Sequence, residues 1–329
     1  MPACFPARRA ARLFALSALP MLAALPCAAQ PDAYPSKPIT IVVGYPPGGS
    51  TDLNGRTLGA ELSRKLGVPV IIDNVGGAGG AIGAQKVANA APDGYTLLVG
   101  ASNEIAINRL VSSAVRYDLK DFTPIGLIAA QPMVLVASQK SGVKTVDQFI
   151  SLVKQNPGKY SYGSSGVGTA LHLAGEMAKD QGGLFMTHIP YRGVAPLAND
   201  LLGNNIDFGV FVLSSGLPHI RSGKVVALGT TEAKRSPLTA DIPALAEHPK
   251  LKNLDINIWF ALMGPARLPE PVVAKLKTAL NESLKTPELR KKLEDSGSTV
   301  SSPNVDMTKF LNQETAKYKR IVDFAKIKE

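Results

Sequence analysis

The sequence predicts an α/β chain built on a parallel sheet with helices on both faces. Two observations carry this. Short apolar, β-branched runs recur and alternate with segments whose apolar residues fall at helical spacing. In three places a run passes through a glycine-rich turn into a helix start: Tyr45–Asp52, Asp73–Ala81 and Ser164–Ala170. In such sheets ligands lie beyond the carboxyl ends of the strands, where these turns fall.

The chain opens on a segment that reads as an export leader rather than as part of the fold. Arg8, Arg9 and Arg12 form a basic start, Leu13–Leu25 is apolar but too short for a stable bilayer anchor, and Cys27-Ala28-Ala29 places small residues before a cut ahead of Gln30. Arg8-Arg9 resembles a twin-arginine signal with a poor continuation, which favours general secretion. Pro26 and Ala24 fit a lipoprotein signal at Cys27 badly. The expected product is a soluble exported chain, and no other apolar stretch is long enough to span a membrane.

Both cysteines, Cys4 and Cys27, lie in that leader, so the mature chain has no thiol for disulfides, nucleophilic catalysis or metal binding. The leader takes three of the 36 Lys and Arg residues and none of the 26 Asp and Glu residues, leaving a net charge of +7. The basic residues are dispersed and aromatic residues are scarce, which argues against nucleic acid and for a diffuse field attracting small anions.

In order, Ile39–Val43 is a buried strand, Tyr45–Gly49 a turn, and Ser50, Thr51 and Asp52 start a helix carrying Leu58, Leu62 and Leu66. Free N–H groups and a helix dipole at that point suit an anion. Val70–Ile72 is a second strand and Ala81–Ala90 a second helix. The turn between them contains G-x-G-x-x-x-G, one residue off the dinucleotide fingerprint, and an exported chain does not meet the cytoplasmic nicotinamide pool. No cofactor is expected. Tyr95–Val99 is a strand; Ile125–Ala129 and Met133–Ala137 are two apolar runs separated by Ala130-Gln131-Pro132. Thr145–Gln148 is a capping box starting a helix to about Gln155. Tyr160–Gly163 is a strand leading into the third turn and a helix from Ala170 to about Asp180. Thr187–Pro190, Asp207–Leu213, Val225–Thr230 and Ile256–Met263 are further strands. Pro271 begins a long helix, and a last helix runs from Asp306 toward the end.

Six segments occur in a familiar order: Tyr45–Asp52, Asp73–Gly80, Ala91–Leu98, Asp121–Pro124, Ser164–Gly168 through His172-Leu173, and Ile189–Gly193. They resemble the Bug family of periplasmic solute-binding proteins, the extracytoplasmic receptors of tripartite tricarboxylate transporters, over nearly the whole mature chain. The resemblance implies a type II periplasmic-binding-protein fold, with two lobes, a hinge and a ligand cleft between them. It places a leader at 1–29, a discontinuous lobe one at 30–130 plus 231–329, and lobe two at 131–230. It implies capture of a small carboxylate and delivery to integral-membrane permease subunits, by a monomer without catalysis. By position the ligand-binding candidates are Pro47, Gly48, Gly49, Ser50, Ser164, Ser165, Gly168, Thr169 and Tyr191, with Gly49 and Gly168 expected to allow close backbone approach or positive φ. Asp52 matches the family's acid and reads as a stabiliser of its loop, since an acid aimed at an anion would repel it.

Other candidates have two readings each. Arg192 either salt-bridges a carboxylate or is a solvated loop charge. Many relatives carry an acid at the position of Phe211; here Phe211 either walls the cleft, favouring a carboxylate with a hydrocarbon or aromatic body over an amino acid, or fills the core. Trp259 reads as core. His172, His188, His219 and His248 lack metal-ligand spacing, and His172 reads as a packing residue behind the third loop. A serine hydrolase using Ser165 and His172 is the rival of another class, but seven helical residues span about 10 Å, beyond hydrogen-bond reach. A ligand-sensing module for a signalling partner would share the fold.

Overall fold

The computed structural model describes residues 1–3 and 34–327. The chain divides into two units, Met1–Ala33 and Tyr34–Glu329, and every element below lies in the second. Residues 4–33, which hold the rest of the leader, both cysteines and the expected cut before Gln30, lie outside the described residues.

The strands are β1 (Ile39–Val43), β2 (Val70–Asn74), β3 (Thr96–Ala101), β4 (Phe122–Ser138), β5 (Ser161–Ser164), β6 (Thr187–Pro190), β7 (Phe208–Val212), β8 (Val225–Thr230), β9 (Asn257–Pro265) and β10 (Thr299–Val300). The helices are α1 (Ser50–Leu66), α2 (Ala81–Ala88), α3 (Asn108–Val111), α4 (Val146–Gln155), α5 (Ala170–Gly182), α6 (Val194–Leu202), α7 (Leu213–Arg221), α8 (Glu270–Ser283), α9 (Pro287–Glu294) and α10 (Met307–Ala325). A π-helical turn, Asn103–Ile107, links β3 to α3.

The strand order is β2-β1-β3-β9-β4-β7-β5-β6, with β8 and β10 also paired to β4. β1 is parallel to β2 and β3, and β5 is parallel to β6 and β7. The sheet is mixed, because β9 and β4 run antiparallel to their neighbours. The two apolar runs expected on either side of Ala130–Pro132 are a single 17-residue strand. Its residues up to Pro132 pair with β9, and from Met133 onward it pairs with β7 and β8. Pro132 falls at the last β9 pair, where a missing N–H is tolerated.

Thus β4 belongs to two halves, each with a parallel core, and the molecule has the two-lobe periplasmic-binding architecture. The chain crosses back after β8. There the Met133 N–H donates to Thr231 Oγ1 at 2.9 Å, the Thr231 N–H to the Met133 carbonyl at 2.9 Å, and the Thr231 hydroxyl to the Ile256 carbonyl at 2.6 Å. One buried threonine therefore ties the crossing strands together.

The first half closes its core over Ile41, Val43, Leu97 and Val99, with Leu58 and Leu62 of α1 against them, all fully buried. Each such leucine contributes about 1.5–3 kcal/mol by leaving water. Gly55 and Gly59 bring α1 down onto the sheet: a Cβ at Gly55 would meet Val43 at 2.9 Å. Thr145 caps α4 by accepting the Gln148 N–H, and Asp306 caps α10 in the same manner toward Lys309. Helices α6, α7 and α9 were not anticipated from sequence; each has nine residues or fewer and contains a proline, Pro196, Pro218 or Pro287.

Candidate ligand-binding cleft

Two connected cavities open between the halves. The smaller, of about 340 Å³, is walled by Tyr45–Thr51 from the first half and, from the second, by Ser165, Arg192–Pro196 at the start of α6, and Ser214 and Ser215 at the start of α7. The larger, of about 1070 Å³, is walled by Gly76–Ile82, the stretch around Tyr117, Ser165–Val167 and Pro190–Gly193. Tyr45, Pro46, Ser165, Arg192 and Gly193 face both.

The strand–turn–helix units explain why donors collect here. Each helix start carries N–H groups with no partner inside the helix. α1 begins after Gly49, and Gly48 takes φ +90°, a left-handed conformation that costs glycine little. Asp52 holds this loop: its carboxylate accepts the Gly48 N–H, the Arg56 Nε–H and an Asn74 N–H, each at 2.9 Å. Burial works to raise its pKa, but these bonds from Arg56, Gly48 and Asn74 outweigh it and hold the carboxyl below its ordinary value. Asp52 is thus a charged brace behind the loop and lines neither cavity.

Pro47, Gly48, Gly49, Ser50, Ser165 and Arg192 come together on the smaller cavity, and Tyr191 joins Ser165 and Arg192 on the larger. Of the two glycines expected to take positive φ, Gly168 does at +68°, whereas Gly49 is extended at −82° and Gly48 carries the turn instead. Ser164, Gly168, Thr169 and Phe211 line neither cavity.

The first three build the third loop from behind. Ser164 Oγ lies 3.0 Å from the Gly166 carbonyl, the Thr169 hydroxyl donates to that carbonyl at 2.8 Å, and Gly168 packs so closely on Val111 that a Cβ would collide with it. Phe211 is 1% exposed and packs with Val134, Leu197 and Leu217. The aromatic wall expected from it is corrected: packing turns Phe211 into the second core, and strand alternation then leaves Val212 toward the cavity.

A serine–histidine contact exists that sequence spacing did not reveal. Ser164 Oγ lies 2.7 Å from His188 Nε2, joined by the β5–β6 pairing rather than by a helix. The His188 ring stacks on His172 at 3.9 Å, and His172 Nδ1 accepts the Gly168 N–H at 3.1 Å. Burial lowers the His172 pKa to about 4 and that of His188 to about 3. Ser164 is fully buried and faces neither cavity, so the pair braces the loop.

Sequence reasoning missed Asn103, Ser214, Ser215 and His219, all on the smaller cavity. Ser214 donates to Gln131 at 2.9 Å, while Ser215 Oγ is buried without a protein partner. The signal for the two serines was a serine pair just after a strand, as at Ser164-Ser165; no such cue marks Asn103 or His219. Among the described residues no Asp or Glu side chain lines either cavity, whereas Arg192 lines both and Arg116 lines the larger. Among the described residues Arg192 makes no ion pair, and no group of three or more His, Cys, Asp or Glu is placed to hold a metal.

The sequence profile of the tripartite tricarboxylate transporter family receptor, TctC, matches residues 55–327. The chain belongs to this receptor family. Among its relatives is protein BugT of Bordetella pertussis, 32% identical over 88% of this chain and 90% of BugT. Rpa4515 of R. palustris, solved with adipate, is 32% identical with a TM-score of 0.86, covering 90% of this chain and 99% of that one. MatC of Rhodopseudomonas palustris, solved with bound malate, is 29% identical with a TM-score of 0.82, covering 88% and 100%. Receptors of the TctC family are periplasmic solute-binding proteins, and the two-lobe architecture seen here is theirs.

Proposed function

We propose that this chain is an exported receptor that captures a small carboxylate between its lobes and delivers it to the membrane subunits of a tripartite transporter. The observation that carries the reading is the cavity wall: helix starts, serine hydroxyls and two arginines, with no acidic side chain among the described residues. Backbone donors and Arg192 favour an anion, and burying an ammonium there would leave it unpaired at considerable cost. Adipate on Rpa4515 and malate on MatC support a dicarboxylate or a hydrocarbon-bodied carboxylate. Within the described residues, lobe one is assigned to 34–132 plus 231–327 and lobe two to 133–230, the boundary lying two residues from that expected, because Gln131 and Pro132 still pair with β9. The ligand contacts are assigned to Gly48, Gly49, Ser50, Ser165, Arg192 and Ser215.

A thermal-shift panel of carboxylates, followed by calorimetry on the best, tests the reading; failure of every carboxylate at millimolar concentration would reject it. Periplasmic material should begin at Gln30 by mass spectrometry, and a lipid-modified Cys27 would overturn the soluble localisation.

A further inference from the structure

Behind Tyr45 lies a buried carboxyl that the ligand contacts do not use. Glu104 sits in the π-helical turn after β3 and is 1% exposed. Its Oε1 accepts the Ala101 N–H at 2.7 Å, and its Oε2 lies 3.1 Å from Tyr45 Oη. Tyr45 Oη is also 2.8 Å from the Gly79 carbonyl and 2.8 Å from Asn103 Nδ2.

The hydrogens around this oxygen can be counted. Asn103 Oδ1 accepts the Ala170 N–H at 2.8 Å, which fixes the amide orientation and makes Nδ2 a donor to Tyr45. The Gly79 carbonyl can only accept, so this contact is satisfied only when the single Tyr45 hydrogen goes to it. The contact with Glu104 then lacks a hydrogen unless Glu104 supplies one. With Glu104 ionised, Tyr45 must choose between Glu104 and Gly79, and the other short oxygen–oxygen contact becomes repulsive. Asn108 Nδ2 holds the same turn at 2.9 Å from the Gly79 oxygen, and a Cβ on Gly80 would meet Glu104 at 2.8 Å, so neither the turn nor the carboxyl has room to retreat.

We propose that neutral Glu104 is a positioning residue for ligand capture: it donates to Tyr45 Oη, which fixes the Gly77–Gly80 turn walling the larger cavity. On ionisation it releases Tyr45 and sets a negative charge behind the anion site. Burial pushes its carboxyl up to about 7, against lowering bonds from the Ala101 and Glu104 N–H groups and Tyr45. The titratable groups facing it are Tyr45 and Tyr117, whose hydroxyl donates to the Glu104 carbonyl at 2.7 Å. On the neighbouring elements, Lys86 of α2 pairs with Asp73 and Arg109 of α3 with Asp118. Glu314 and Tyr318 of α10 are bonded to Trp259 and to the Asn257 carbonyl. None of these is a cation beside Glu104 that would hold it ionised.

The sign follows. A bound anion favours the neutral acid, so binding takes up a proton and affinity falls as pH rises through neutrality, by at most about tenfold per pH unit for one linked proton. This consequence rests on the carboxylate reading above; the ligand-free consequence does not. With its folded pKa raised, Glu104 lowers the stability of the wild type as pH rises from the ordinary carboxylate range to about 7.

The experiment uses the mature protein, with adipate as probe, by calorimetry at several pH values in two buffers of different ionisation heat. Wild type should take up a fraction of a proton per adipate near neutral pH. Glu104→Gln, whose amide accepts from Ala101 and donates to Tyr45 at every pH, should bind with flat pH dependence and no proton uptake from this site. Glu104→Ala should bind weakly throughout. Without ligand, the melting temperature of Glu104→Gln minus that of wild type should grow between about pH 5 and pH 8. A Glu104→Gln pH profile parallel to wild type, or a flat melting-temperature difference, overturns the proposal. If adipate fails to bind at any pH, the melting-temperature series alone decides for or against Glu104, and only the choice of probe falls.

Discussion

The side-chain oxygen of Asn103 accepts the backbone N–H of Ala170 at 2.8 Å. Asn103 follows β3 in the first half, and Ala170 is the first residue of α5 in the second. The same amide donates to Tyr45 on the cavity wall, so one side chain links a cavity-lining residue to the opposite half. Asn103→Ala would orphan the Ala170 N–H, and the closed form should lose roughly 1–3 kcal/mol, which calorimetry reads as weaker ligand binding. Small-angle scattering of wild type should show a smaller radius of gyration when ligand saturates it. Equal affinities for wild type and variant would show that the contact plays no part in closure.

The two glycines singled out in the loops should behave differently. Gly168→Ala forces a Cβ against Val111 at positive φ and should lower the melting temperature by several degrees. Gly49→Ala meets nothing nearer than the Pro46 carbonyl at 3.9 Å and has ordinary φ, so it should fold normally. Any loss of affinity in Gly49→Ala with unchanged melting temperature places the ligand against that backbone. A destabilised Gly49→Ala would contradict this division.

The cavity wall should discriminate by ligand charge. Aliphatic carboxylates should raise the melting temperature more than their amino-substituted counterparts, because among the described residues no acidic side chain on the wall can receive an ammonium. Arg192→Ala should weaken carboxylate binding and reduce its salt dependence. Tightest binding by glutamate or aspartate would refute this account of the wall.

The histidine stack predicts acid sensitivity. The folded pKa values of His172 and His188, about 4 and about 3, lie below the ordinary histidine value. The unfolded chain therefore binds more protons in that range, and stability present at pH 7 is lost as pH falls from about 6.5 toward 4. His188→Gln, which keeps a partner for Ser164 but does not titrate, should show a shallower fall in melting temperature over this range. Glu104 acts with the opposite sign, so the comparison must be of variant against wild type at each pH. Parallel curves would show that His188 contributes no such term.

Much of the fold could be read directly from local pattern. β1 and β8 begin and end where their apolar runs do, and Thr145 caps α4 as expected, although Gln148 accepts the Lys144 N–H instead of closing the box on Thr145; these features depend only on neighbouring residues. The glycine loops were visible for the same reason: positive φ and free helix starts are local properties. What adjacency could not show was which residues the sheet brings together. The β5–β6 pairing sets Ser164 against His188 across 24 positions, a contact invisible to helical spacing. The face taken by Phe211 was decided by packing against Leu197 and Leu217, since strand alternation fixes the relation of Phe211 to Val212 but not which of them meets the core.

The sequence by itself determined the α/β class, the order of the strand–turn–helix units and the family, because these are written in residues a few positions apart. The tertiary structure alone decided the mixed pairing through β4, the turning of Ser164 and Thr169 away from the cavity, and the meeting of Tyr45, Asn103, Glu104 and Ala170. Those relations depend on long-range register and on hydrogens shared between distant segments, and a sequence fixes them only through the whole folded chain.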